Sequence, residues 1–146
     1  MKSRWIFYKG KQIFLIDFSY LDYESLRAEM VDLAQFVMLF PLHSLPTITD
    51  VRGIVSTPEI LELFKFSGAQ MGKHLGFQAV VGIDGVRVIF LDVINRITGG
   101  NARPFETLEQ AKEWLADSIE RQCFKSLESR KSYPYRPANN SRSSDL

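Results

Sequence analysis

Hydrophobic positions along this chain change period several times, and each change marks an element. Residues 5–8 and 12–18 are dense in aromatic and β-branched side chains, which suit a pleated surface, and Lys9-Gly10-Lys11 separates them. They predict a β-hairpin. From about residue 22 to 40 the period becomes helical: Leu26, Met30, Leu33 and Val37 share one face, with Arg27, Glu29 and Asp32 off it. Asp22 is placed to cap this helix and Pro41 to stop it. Residues 45–51 form a third strand, in which Pro46, lacking an N–H, belongs at the start or toward an unpaired side. Ser56-Thr57-Pro58-Glu59 announces a second helix, with Thr57 as its cap and Pro58 preorganised for its first turn. Its stripe is Ile60, Phe64, Met71 and Leu75. The small residues Ser67, Gly68, Ala69 and Gly72 predict close approach to a sheet, and Gly76 is the expected stop.

The next stretch organises the rest. Residues 77–82 are apolar on both sides of the alternation, as in a strand paired on both edges. After Ile83-Asp84-Gly85 comes a run rich in Val and Ile over residues 86–98. Helix is preferred there because Val86, Ile89, Val93 and Ile97 recur at spacings of three and four, whereas strand alternation fails at residues 88–91. Residues 101–105 read as a loop or short edge strand. Thr107-Leu108-Glu109-Gln110 is a capping box opening a last helix, whose inward stripe is Leu108, Ala111, Leu115, Ile119 and Cys123. The order β-β-α-β-α-β-α-β-α predicts an α/β fold: a mostly parallel sheet with an N-terminal antiparallel hairpin strand and helices packed on the sheet. One domain is expected over residues 1–127. The Ser-, Asn-, Pro- and Arg-rich residues 128–146 carry no stripe and are expected to form a disordered tail.

Composition narrows the function classes. Eighteen basic and 17 acidic residues give a net charge of +1, too balanced to predict a nucleic-acid binder. The longest apolar run, residues 36–42, is interrupted by Pro41 and is far too short to span a bilayer. With a single cysteine and no visible targeting segment, a cytoplasmic protein is expected.

Several stretches together resemble the STAS-like domains (sulfate transporter and anti-sigma-factor antagonist). They are Ile16-Asp17-Phe18-Ser19, Thr49-Asp50-Val51-Arg52-Gly53, Ala79-Val80-Val81-Gly82 with Gly85, Asn95-Arg96 before Gly99, and Phe105 followed by Ala111 and Trp114-Leu115. More narrowly, the chain resembles small bacterial STAS-like or CRAL-TRIO-like proteins of unknown role. The resemblance implies a regulatory or binding module rather than an enzyme. Phosphorylated STAS antagonists carry an Asp-Ser-Ser-Gly-like motif where this chain has Asp50-Val51-Arg52-Gly53, so control by phosphorylation is not implied, although Ser56 and Thr57 are nearby.

Ligands of open parallel sheets bind beyond the carboxyl ends of the strands, where Asp17, Asp50 and Asp84 are expected. Together they would suit a hard cation such as Mg²⁺. The plainer reading, preferred here, makes them turn and cap residues, with Asp50 paired to Arg52. His43 and His74 lack partners at metal-ligand spacing and read as structural or surface residues. Cys123 reads as buried packing. Phe36, Phe40, Phe64, Phe66, Phe77 and Phe90 read as core, with room for a residual pocket between helices and sheet. The tail's Arg130, Lys131, Arg136 and Arg142, with Tyr133 and Tyr135 between them, read as solvated.

The sequence therefore points to a non-catalytic interaction module, with no metal or cofactor, that binds a protein partner or small ligand at the carboxyl edge. The residues expected there are Asp50, Arg52, Gly53, Ser56, Thr57, Asp84 and Gly85. A carrier of a small lipophilic ligand is the first alternative. An Mg²⁺-dependent phosphoryl-transfer enzyme using Asp17, Asp50 and Asp84 is the second.

Overall fold

The computed structural model describes residues 1–83, 88, 91–92, 95–96 and 99–132. Five strands, β1 (Arg4–Tyr8), β2 (Lys11–Asp17), β3 (Leu45–Asp50), β4 (Leu75–Val81) and β5 (Arg103–Phe105), form one sheet in that order. β1 and β2 are antiparallel; β2, β3, β4 and β5 run parallel. The hairpin is tight because Lys9 and Gly10 both take positive φ, 50° and 75°, which matches the strand twist. Pro46 is tolerated in β3 because the β3–β4 register shifts between Leu45 and Thr47.

Because the parallel strands follow one another without reversal, crossovers of the usual hand all fall on one face. That face carries α1 (Tyr23–Val37), α2 (Pro58–Met71) and the segment containing Val88, Leu91, Asp92, Asn95 and Arg96. Each of those five residues is helical, as expected for residues 86–98. The expected stripe positions Val86, Ile89, Val93 and Ile97, together with Asp84, Gly85 and Phe90, lie outside the described residues. The opposite face is covered by α3 (Leu108–Ser132).

Helix starts follow their sequence signals. Asp22 accepts from Ser25 N–H at 2.8 Å and Thr57 from Ile60 N–H at 3.2 Å. In the capping box, Gln110 N–H donates to Thr107 Oγ1 and Thr107 N–H to Gln110 Oε1. Helix ends follow tertiary structure instead. α1 stops at Val37, before Pro41, in a tightened turn that closes with Phe40 N–H on Val37 O. α2 ends at Met71, not Gly76. Gly72–His74 forms a 3₁₀ turn whose Lys73 and His74 carbonyls accept from His43 and Ser44 N–H, and Gly76 and Leu75 belong to β4. His74 is structural: its Nδ1–H donates to Phe40 O at 2.8 Å.

α3 runs to Ser132, past the expected domain end at residue 127, and residues 133–146 lie outside the described residues. At roughly 37 Å it is longer than the strands beneath it, about 20 Å each. The inward stripe therefore runs out of sheet. Ala111 and Leu115 are buried, but Cys123 is exposed, contrary to its expected burial. Phe66 is likewise exposed rather than core. Glu29, expected off the buried face of α1, is buried and accepts from the backbone N–H of Lys2 and Ser3 and from Ser3 Oγ.

Candidate functional site

At the carboxyl rim, β2 and β3 end on Asp17 and Asp50, which are register partners. Both are buried, and both are neutralised. Asp50 receives Arg52 Nε at 3.0 Å and Nη2 at 2.7 Å, plus the Arg52 backbone N–H at 3.1 Å. This is the Asp50–Arg52 pairing expected from sequence, and its hydrogen bonds raise the Arg52 pKa above its ordinary value. Asp17 receives Ser19 Oγ at 2.6 Å, Ser19 N–H at 3.1 Å and Arg4 Nη1 at 3.0 Å, with Lys2 Nζ 3.5 Å away. Burial pushes the Asp17 carboxyl up. The hydrogen bonds from Ser19 and Arg4 and the charge of Lys2 outweigh it and hold the pKa below its ordinary value. Two carboxylates already occupied by cationic side chains offer little to a metal ion. Among the described residues no group of three or more acidic, His or Cys side chains is arranged to hold one.

Two glycines let the rim loops close on one another. Gly53 has φ +77°, and a Cβ there would run into the Tyr20 ring. Gly82 has φ +98°, and its Cβ would lie 2.6 Å from Arg52 N. Tyr20 N–H donates to Arg52 O and Val51 N–H to Val81 O, tying the three loops together. Of the expected rim residues, Asp50, Arg52 and Gly53 thus form one packed turn, while Ser56 and Thr57 stand at the start of α2. Asp84 and Gly85 lie outside the described residues.

Beneath α2 lies a feature that sequence left only as a residual pocket. A cavity of about 520 Å³ separates α2 from the sheet. Its floor is Ile16, Thr49, Gln78 and Val80; its roof includes Ile60, Phe64, Ser67, Gly68 and Met71; Leu91, Asn95 and Ala102 line it too. It follows β4 from Leu75 at the strand's start to Ile83 beyond its end, so it is a slot. Ser56 and Thr57 line it, linking it to the rim. The small residues expected to draw α2 onto the sheet, Ser67, Gly68 and Gly72, instead border open space. At Gly72 an added Cβ would meet nothing within 4 Å. The sheet has no reversal of strand order, so it has no crevice of the doubly wound kind between diverging loops. The available volume is inside the layer.

Comparison with protein-family models, with curated proteins and with solved structures returns no match. No helix among the described residues is long and apolar enough to cross a membrane.

Proposed function

We propose that this protein is a non-catalytic binding module that holds a small lipophilic molecule in the slot between α2 and the sheet. The observation that carries the reading is the cavity of about 520 Å³ with a mainly aliphatic and aromatic lining. That size falls within the roughly 300–1,000 Å³ of small-molecule sites. Left empty, its walls would forfeit the dispersion contacts a close-packed interior normally makes. A lipophile restores them and removes its own apolar surface from water.

Gently purified protein, analysed by native mass spectrometry, is expected to carry a bound mass of a few hundred daltons that organic solvent extracts. Val80→Phe, which fills the slot from its floor, should lose the adduct while remaining folded by circular dichroism. A wild-type protein of bare mass that also fails to take up added Nile red, a neutral lipophilic dye, would overturn the proposal.

A second reading, contact with a protein partner at the carboxyl rim, matches what the STAS-like resemblance implies. It draws support from Tyr20 and Val55, large side chains exposed on the rim loops at 73% and 69%. Replacing both with Ser should abolish partner capture and leave Nile red uptake unchanged.

A further inference from the structure

The slot's polar groups differ in how far they are already engaged. The Asn95 amide is committed to Ala102, donating to its carbonyl at 2.9 Å and accepting from its N–H at 3.1 Å. Thr57 Oγ1 is committed to capping α2. On the α2 side the slot also meets Ser56 and Ser67; on its floor, Thr49 on β3 and Gln78 on β4 remain. They are diagonal neighbours on one face of the sheet, since Thr47 pairs with Gln78 and Thr49 with Val80 in register. Both are half-buried and both line the slot, and no described residue is a hydrogen-bonding partner of either side chain. Directly across from Gln78, Thr47 is wholly buried and its hydroxyl has no partner among the described residues. Of the three only Thr47 is fully buried, where polar groups are normally paired; Thr49 and Gln78 present their hydrogen-bonding groups to the slot in an otherwise apolar floor.

The chemistry of that strip limits what it can recognise. A hydroxyl and a carboxamide both donate and accept, so they match a neutral group of either polarity. The described side chains lining the slot are all uncharged. A carboxylate, phosphate or ammonium carried into it would lose its hydration and find no described counter-charge, which costs far more than burying a neutral polar group.

Resting on the lipophile-binding reading, we propose that the slot selects an uncharged lipophile bearing a neutral hydrogen-bonding group, such as a hydroxyl, carbonyl or carboxamide. That group pairs with the Thr49 hydroxyl and the Gln78 amide. Charged amphiphiles of the same length are rejected.

The test is displacement of Nile red by decanol, decanoate and decylamine, matched in length and differing in charge. At about pH 8, where decanoate is ionised and decylamine protonated, decanol should compete at least about tenfold better than either. Decanoate should gain affinity as the pH is lowered toward about 5, while decanol should not change. Gln78→Leu, similar in volume but without the amide, should weaken decanol by about three- to tenfold. Gln78→Glu should reverse the order of decanol and decylamine. Equal competition by decanol and decanoate at high pH, or undiminished decanol binding in Gln78→Leu, would overturn this inference while leaving the slot as a lipophile site. Absence of Nile red binding to the wild type, or equal binding to Val80→Phe, would instead overturn the lipophile-binding reading itself.

Discussion

Between the sheet and α1, four aromatic rings fill the layer; between the sheet and α2, about 520 Å³ is left open. The two regions share one sheet face and one layer of helices. In the filled half, Phe14 on β2 stacks on Phe36 at 4.7 Å and meets Trp5 edge-on at 5.1 Å, and Phe40 closes the group 5.1 Å from Phe36. In the open half, α2 meets the slot with Ser67 and Gly68, and Phe66 points to solvent. The filled half is also clamped: Glu29 and Asp17 bind the backbone or side chains of Lys2, Ser3 and Arg4, holding β1 against α1. The difference shows how a chain of ordinary apolar content can build a ring-filled core and a slot side by side. Large rings are concentrated where stability is needed, and small residues are set where space is kept.

Truncating a ring in each half should have unequal effects. Phe14→Ala should cost about 3–5 kcal/mol, because the void it leaves is walled by rigid neighbours. Phe64→Ala should cost roughly 1–2 kcal/mol, because its side chain already borders open space and it gives up chiefly its edge-on contact with Phe18. Urea unfolding measures both. Equal losses would show that the two halves are packed alike.

A smaller effect sharpens the same contrast. At neutral pH Asp17→Asn should destabilise by about 1.5–3 kcal/mol, by weakening hydrogen bonds to a charged acceptor. The folded pKa of Asp17 lies below its unfolded value, so its contribution is complete above about pH 4 and is lost as the pH falls through the folded pKa. The stability gap between wild type and variant should therefore hold steady from neutral pH down to about 4 and narrow below it. A gap that persists unchanged into stronger acid would show that the clamp does not depend on the carboxylate's charge.

Much of the fold was legible because its signals are local. Alternation marked the strands, helical spacing marked α1 and α3, and Asp22, Thr57 and the Thr107–Gln110 box marked helix starts through bonds within a few residues. What escaped depends on distant partners. Gly76 looked like a helix stop, yet it sits in β4 facing His43 O, where a Cβ would lie 3.1 Å away. Cys123 kept the period of the buried stripe, but periodicity does not reveal where the sheet below a helix ends. Glu29 looked like a surface charge because its ligands are backbone groups 26 and 27 residues away. The slot was hardest of all. Small residues on a helix face signal close approach or open space equally well, and only the height of α2 above β4 decides between them. Of the rim residues, the Asp50–Arg52 pair was readable from its two-residue spacing, whereas the role of Gly53 beneath Tyr20 was not.

Methyl-labelled NMR during a Nile red titration tests the central claim most directly. Methyl signals of Ile60, Met71, Val80 and Leu91, which line the slot, should shift in proportion to bound dye, while those of Ile13, Leu15 and Leu115 on the opposite face should stay where they are. Shifts confined to the exposed end of α3 around Phe124 and Leu127, or spread equally over both faces of the sheet, would contradict it.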